Sequence, residues 1–83
     1  MAEAEFTPKP AIKKGMYRHY KGNLYEVIDV VCHSESLGWL VLYKRRYERA
    51  GPELWVRPTD MFVETVKIDG KSMPRFEYID NIA

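Results

Sequence analysis

Residues 24–33 have the sequence LYEVIDVVCH, which is rich in valine, isoleucine and tyrosine, residues that are enriched in β-strands. The apolar residues do not keep one parity along this run, because the alternation switches near Ile28-Asp29. We therefore expect either a β-bulge at Ile28-Asp29 or a strand that is buried on both faces. No window of the chain has a sustained helical period, so the sequence predicts an all-β fold.

Shorter strand signals flank this central run, and turn residues separate them. They are Met16–Tyr20, Trp39–Tyr47, Leu54–Arg57, Val63–Ile68 and Met73–Ile79. The last two flank Asp69-Gly70, a dipeptide that tolerates positive φ and predicts a hairpin. Residues 59–62 are predicted to form one short helical turn, with Thr59 or Asp60 as its N-terminal cap.

The domain boundaries follow from these signals. Residues 1–14 contain Pro8 and Pro10 and predict a flexible arm, from which Phe6 and Ile12 can dock onto the domain. Residues 15–80 are predicted to form a single domain, and residues 81–83 a C-terminal tail. Five or six short antiparallel strands in so short a chain favour a strongly bent, SH3-like barrel, because bending covers the sheet edges.

Composition restricts the classes of function. The 83 residues include 13 Lys plus Arg and 12 Asp plus Glu, a balance that is not typical of a general polyanion-binding protein. Residues 9–49 are more basic, with nine basic and four acidic side chains, which is either a local potential or an accident of a small sample. A single cysteine, an acidic N-terminus and no long apolar run predict a cytoplasmic protein without a signal peptide or a membrane partner.

The chemistry-bearing residues do not form a recognisable catalytic or metal-binding set. Cys32 and His33 are strand neighbours that point to opposite faces, so they cannot pair directly. The run His33-Ser34-Glu35 contains the residue types of a triad, but a triad normally converges from separate segments, and a turn held by Ser34 and Glu35 is expected instead. With two histidines, one cysteine and no phosphate-binding glycine motif, we predict no catalytic residue, no metal and no cofactor.

Two clusters combine basic and aromatic side chains. The first consists of Arg18, His19, Tyr20 and Lys21, and the second of Lys44, Arg45, Arg46 and Arg49 with Tyr43 and Tyr47 interleaved. Such residues bind single-stranded nucleic acid by stacking on bases, or line a groove for a peptide. In the third interpretation the rings pack the core and the charges only face solvent.

Four separate stretches of the chain carry a recognisable pattern: residues 15–25 (GMYRHYKGNLY), 33–35 (HSE), 55–58 (WVRP) with Met61-Phe62, and 74–76 (PRF). In order and spacing they resemble one bacterial family, the domain of unknown function 1653, and the resemblance covers about residues 14–79. The resemblance implies a small cytoplasmic β-barrel-like module and implies no activity. The sequence departs from the family pattern at Ser36 and Gly38, where a threonine and an acidic residue are usual.

From these observations we predict a non-catalytic binding module that contacts a protein or peptide partner through an aromatic-basic surface. The candidate binding residues are Tyr17, Arg18, Tyr20, His33, Glu35, Trp55, Arg57 and Arg75. The rings are expected to stack or line a groove, the arginines to hold anionic or carbonyl groups, and His33 and Glu35 to set polar specificity.

The alternatives are single-stranded nucleic-acid binding, a small-ligand or catalytic pocket, and an oligomerisation unit around Trp39 and Leu40, and the oligomeric state stays open. The pocket alternative requires His33, Glu35, Arg57 and Arg75 to converge. For Arg57 and Arg75 the first interpretation is a structural role, in which each is bonded to backbone carbonyls or to a carboxylate, that of Glu35, Asp60 or Glu64. The alternative is an anion-binding pocket that both share with Arg18.

Overall fold

A computed structural model describes residues 7–80, which form seven β-strands and one short helix. The elements are β1 Gly15–His19, β2 Leu24–Cys32, β3 Trp39–Arg45, β4 Leu54–Pro58, α1 Thr59–Phe62, β5 Thr65–Ile68, β6 Lys71–Pro74 and β7 Phe76–Asp80. The all-β prediction is therefore confirmed. The predicted number of strands, five or six, is too low because the segment 73–79 is divided between two sheets.

Two antiparallel sheets contain these strands. The larger has the order β4-β3-β2-β1-β7, and the smaller is the hairpin of β5 and β6. Within residues 7–80 the sheets do not join into a closed barrel, so β4 and β7 remain edge strands of the larger sheet. The chain crosses between the sheets at Arg75, whose N–H donates to Glu64 O and whose carbonyl accepts from Tyr20 N–H.

The irregularity expected in the central strand is a β-bulge. The register of β2 against β3 shifts between Val27 and Asp29, which leaves Ile28 without a cross-strand partner. Because the bulge adds one residue, Val27 and Val30 both face inward, and both are almost fully buried. The expectation of a bulge at Ile28-Asp29 is confirmed.

The core lies on the inward face of the larger sheet and is mainly aromatic. Its buried members are Tyr17, Val27, Val41, Tyr43, Phe62 and Phe76. The helix α1 supplies Phe62, whose ring stacks on that of Phe76 with centroids 4.2 Å apart. Rings of this size bury much area per residue, which a short chain requires.

The helical turn and the hairpin appear where the sequence predicts them, but the cap differs. Pro58 is the N-cap residue and provides no side-chain cap, while the hydroxyl of Thr59 donates to Trp39 O instead. A proline at this place supplies a fixed φ rather than a capping oxygen, so the predicted Thr59 or Asp60 cap is wrong. In the hairpin, Asp69 and Gly70 both have positive φ, at 51° and 78°.

Residues 7–14 have no regular secondary structure but contact the domain. The indole N–H of Trp39 donates to Thr7 O at 3.0 Å, and Ile12 packs against the core. The hydroxyl of Tyr17 donates to Lys13 O at 2.7 Å. Phe6 and residues 81–83 lie outside the described residues. In the part that the structure describes, no helix is long and apolar enough to cross a membrane.

Candidate functional site

A pocket of about 370 Å³ opens between the inward face of β4 and the loop that follows β3. Trp55 pairs across the strands with Tyr43, and Arg57 pairs with Val41, so both β4 side chains point to the same face as the core. Four rings line the pocket, those of Tyr25, Tyr43, Tyr47 and Trp55, together with three arginines, Arg45, Arg49 and Arg57. We call this the aromatic–arginine pocket.

Arg45 shapes one wall of the aromatic–arginine pocket. Its guanidinium donates to the carbonyls of Pro52 at 3.1 Å and Gly51 at 2.9 Å, and also to those of Tyr47 and Arg49. These bonds draw the residues between β3 and β4 around one side chain. The indole of Trp55 donates to the same Pro52 carbonyl at 3.1 Å, which fixes the ring against the loop. Arg45 is thus a structural residue whose hydrogen bonds are already made.

Two tyrosines form a second polar contact on the wall. The hydroxyls of Tyr25 and Tyr47 lie 2.9 Å apart, and their rings meet edge to face. Burial and the hydrogen bond to Tyr47 raise the pKa of Tyr25 to about 12, whereas the same hydrogen bond lowers the pKa of Tyr47. When Tyr47 ionises, the hydroxyl of Tyr25 donates to the phenolate oxygen of Tyr47.

Arg57 differs from Arg45 because its guanidinium is not satisfied. The Nε atom of Arg57 is buried and has no hydrogen-bond partner among the described residues, and the guanidinium carbon lies 5.7 Å from the centre of the Phe76 ring. A buried donor without a partner is uncommon, and the cost of leaving it unpaired is comparable to that of a lost hydrogen bond. None of the residues that line the pocket is acidic. The pocket lining therefore contains the Arg57 guanidinium, whose buried Nε has no partner within residues 7–80, and no acidic side chain.

The charge around the pocket extends to His19 at the end of β1. The His19 ring packs against Tyr20 and Phe76, at centroid distances of 4.5 and 4.9 Å. Burial lowers the pKa of His19, and the positive charges of Arg75, Arg57 and Lys21 lower it further. Its Nδ1 accepts from Lys21 N–H at 3.2 Å, which requires that nitrogen to be unprotonated. The region is thus positive enough to disfavour another cation.

Arg75 has the carboxylate partner that one sequence-based interpretation predicts. Its Nε and Nη2 both donate to Glu64 Oε1, at 3.1 and 2.6 Å. The pair connects the point where the chain crosses between the two sheets to the short segment between α1 and β5. Arg75 is therefore engaged, and it does not line the aromatic–arginine pocket.

The predicted binding residues do not form one surface. Tyr17 is buried in the core, and Arg18 is exposed on β1 beside it. Tyr20 lies against His19 rather than in the pocket. Only Trp55 and Arg57 of the eight predicted residues line the aromatic–arginine pocket.

His33 and Glu35 lie in the turn between β2 and β3. The Nδ1 of His33 accepts from the N–H groups of Glu35 and Ser36, each at 3.1 Å, so the imidazole itself holds the turn. The expected turn is present, with His33 rather than Ser34 and Glu35 as its main acceptor. No hydrogen bond or ion pair within residues 7–80 joins this turn to Arg57 or Arg75, and the convergence that the pocket alternative requires is not observed. Nor do the described residues contain a group of three side chains suited to a metal ion.

Tyr25 was not identified from the sequence as a pocket residue, because it lies in the central strand β2 and outside both basic-aromatic clusters. The second basic-aromatic cluster did contain Tyr43, Arg45, Tyr47 and Arg49, all of which line the pocket. The sequence does contain one indication of the pocket: Trp55 and Arg57 are two residues apart and therefore lie on the same face of β4. Both lie beside the second cluster once β4 pairs with β3.

These features define the class of protein, which is a small all-β domain with an aromatic–arginine pocket at the edge of its larger sheet. The chain belongs to the family described as protein of unknown function (DUF1653), whose model matches residues 15–78. It is also similar to the crystal structure of a protein of that family from Bordetella bronchiseptica, with 33% identity and a TM-score of 0.83. That similarity covers 87% of this chain and 92% of the Bordetella chain. A search of curated proteins found no match.

Proposed function

We propose that the protein is a non-catalytic binding module that holds a protein or peptide partner at the aromatic–arginine pocket. The observation that carries the proposal is a pocket lined by four rings and three arginines and by no acidic side chain, in which the Nε of Arg57 has no partner within residues 7–80. Aromatic and arginine side chains are the types most often responsible for affinity at protein interfaces. A partner carboxylate that accepts from the Arg57 guanidinium supplies the anion that the pocket lining lacks.

The charge of the site favours an anionic group from the partner. The pocket contains three arginines, and the pKa of the nearby His19 is lowered by burial and by Arg75, Arg57 and Lys21. A carboxylate accepts well from a guanidinium, because the planar fork of donors matches its two oxygens. The polar groups around the pocket are guanidinium, phenol and indole groups, which supports binding rather than bond-breaking chemistry.

The strand order supports an SH3-like arrangement as the scaffold for this site. Four consecutive strands, β1 to β4, form an antiparallel meander, and the last strand, β7, returns to pair with β1. The short helix between β4 and β5 and the bulge in β2 are the bends that such a small sheet needs. In this proposal the β5–β6 hairpin is an insertion before the final strand.

The two tryptophans allow a direct test, because only Trp55 lines the pocket and Trp39 contacts Thr7 instead. The ¹⁵N-labelled protein is titrated with a peptide of glutamate and valine (acetyl-VEVEVEV-amide) while both indole N–H resonances are followed. We expect the Trp55 indole resonance to shift with saturation, while that of Trp39 stays in place. The lysine counterpart, acetyl-VKVKVKV-amide, is expected to leave both resonances unchanged.

A parallel titration uses a short oligothymidine at two salt concentrations. If the oligonucleotide moves the Trp55 indole resonance in a salt-dependent way and the acidic peptide does not, the site is a nucleic-acid site and the proposal is wrong. Equal shifts with the acidic and basic peptides also contradict it, since charge then plays no part.

A further inference from the structure

The open edge of β4 lies directly beside the aromatic–arginine pocket. Within residues 7–80, β4 pairs with β3 alone, so one side of its backbone has no strand partner. The side chains of Leu54, Trp55 and Val56 are about half exposed, at 55%, 45% and 52%. An exposed edge strand with large apolar residues is a template for pairing with another strand.

The direction of the free backbone groups follows from one hydrogen bond. Arg45 N–H donates to Glu53 O at 3.0 Å, so Arg45 and Glu53 are a hydrogen-bonded pair in the antiparallel ladder. Hydrogen-bonded and non-hydrogen-bonded pairs alternate along such a ladder, so Trp55 and Arg57 also direct their backbone groups to β3. The N–H and C=O groups of Leu54 and Val56 therefore point to the open edge.

The two faces of β4 differ in chemistry with a period of two. Trp55 and Arg57 face the pocket, whereas Leu54 and Val56 face the outer side of the sheet, where Val56 pairs with Leu42. A strand added at this edge places alternate side chains on the same two faces. Its pocket-side residues meet Arg57 and its outer residues meet Val56.

We propose that the partner is an extended peptide segment with alternating acidic and apolar residues, which pairs with β4 as a further strand and inserts an acidic side chain at Arg57. The inference rests on the proposed function and adds the mode of binding and the pattern of the partner. Charge and periodicity argue for this occupant: a pocket without acidic residues faces one side of the added strand, and an apolar surface faces the other. Main-chain hydrogen bonds then provide affinity and the pocket provides specificity.

The test places N-methyl groups on the peptide, which leaves the protein unchanged. In antiparallel addition, the residue opposite Val56 has its side chain on the outer face and its N–H directed at β4. N-methylation of an inner valine of acetyl-VEVEVEV-amide, the second or the third, is therefore expected to weaken binding about tenfold or more, because it removes one donor and crowds the interface. N-methylation of a neighbouring glutamate changes the affinity much less. If N-methylation of glutamate weakens binding more than N-methylation of valine, the peptide pairs with β4 in the parallel direction, which also supports strand addition.

The outcomes separate this inference from the proposed function. If the unmodified peptide binds and both N-methyl peptides bind equally well or lose affinity equally, strand addition is wrong while the binding module stands. If the unmodified peptide does not perturb Trp55 at all, the proposed function fails and this inference fails with it. A protein-side variant, Val56→Pro, removes the free N–H at a position that donates nothing to β3, and its folding is checked by the dispersion of the amide spectrum. Unchanged affinity in folded Val56→Pro also overturns strand addition.

Discussion

Two arginines with similar neighbours in the sequence have opposite situations in the structure. Arg57 precedes Pro58 and Arg75 follows Pro74, and each adjoins an apolar residue. One interpretation of the sequence gave each a carboxylate or backbone-carbonyl partner. Arg75 pairs with Glu64, whereas the Nε of Arg57 has no partner within residues 7–80. The two arginines differ because different segments of the fold lie beside them. Residues that flank an arginine in the sequence do not reveal which distant segment will be its neighbour.

His19 makes the stability of the protein depend on pH. Burial and the positive charges of Arg75, Arg57 and Lys21 hold its folded-state pKa below the ordinary value of 6.5. The unfolded chain therefore takes up the proton first, and the free energy of unfolding falls as the pH drops from about 6.5 toward the folded-state pKa. Above this pH window the imidazole is neutral in both the folded and the unfolded state, so it does not make the free energy of unfolding depend on pH.

The contribution of His19 is isolated with the variant His19→Phe, which keeps a ring against Phe76 and removes the titrating group. Both proteins carry His33→Asn, because asparagine can accept in the turn as His33 Nδ1 does and no second imidazole is then present. Urea unfolding is measured between pH 5 and 7.5. As the pH drops, the free energy of unfolding is expected to fall more steeply in the protein with His19 than in the protein with phenylalanine. Equal slopes in the two proteins contradict the assigned pKa shift.

At the scale of elements, the local signals of the sequence were sufficient for most features. The bulge in β2 and the hairpin at Asp69-Gly70 have local causes in parity and turn chemistry, and the helical turn at 59–62 follows Pro58 without the side-chain cap that the sequence predicted. The division of residues 73–79 into β6 and β7 has no such local cause. It arises because β6 pairs with β5 while β7 pairs with β1, far away in the sequence.

The hairpin between β5 and β6 depends on the backbone freedom of Gly70. Gly70 has φ +78°, and no atom lies within 4 Å of the position that an added Cβ would occupy. The cost of Gly70→Ala is therefore conformational rather than steric contact with neighbours, and we expect a loss of about 1–2 kcal/mol. Urea unfolding and amide hydrogen exchange in β5 and β6 measure it.

The adjacent exposed residue gives the matched control for the hairpin. Lys71→Ala changes a side chain at the start of β6 without requiring positive φ, and it is expected to change stability by less than about 0.5 kcal/mol. If Gly70→Ala is as mild as Lys71→Ala, the positive φ of residue 70 contributes little to the hairpin.

At the scale of the whole molecule, the candidate site is assembled from segments that no single stretch of sequence reveals. Tyr25 comes from β2, Arg45 and the following loop from the end of β3, and Trp55 with Arg57 from β4. The sequence identified the second cluster and the two β4 residues separately. It did not show that the pairing of β3 with β4 brings them together. Of the other predicted residues, Tyr17 belongs to the core, and His33 and Glu35 belong to a turn.

The central claim is that Arg57 receives an acidic side chain of the partner. A double-mutant cycle tests it most directly: affinities of the wild type and Arg57→Gln are measured for acetyl-VEVEVEV-amide and for acetyl-VQVQVQV-amide. Arg18→Gln, which makes the same charge change at an exposed position of β1, is the matched control. We predict that Arg57→Gln weakens the glutamate peptide about tenfold and the glutamine peptide little, while Arg18→Gln affects neither. Equal losses for both peptides, or an equal effect of Arg18→Gln, would contradict the claim.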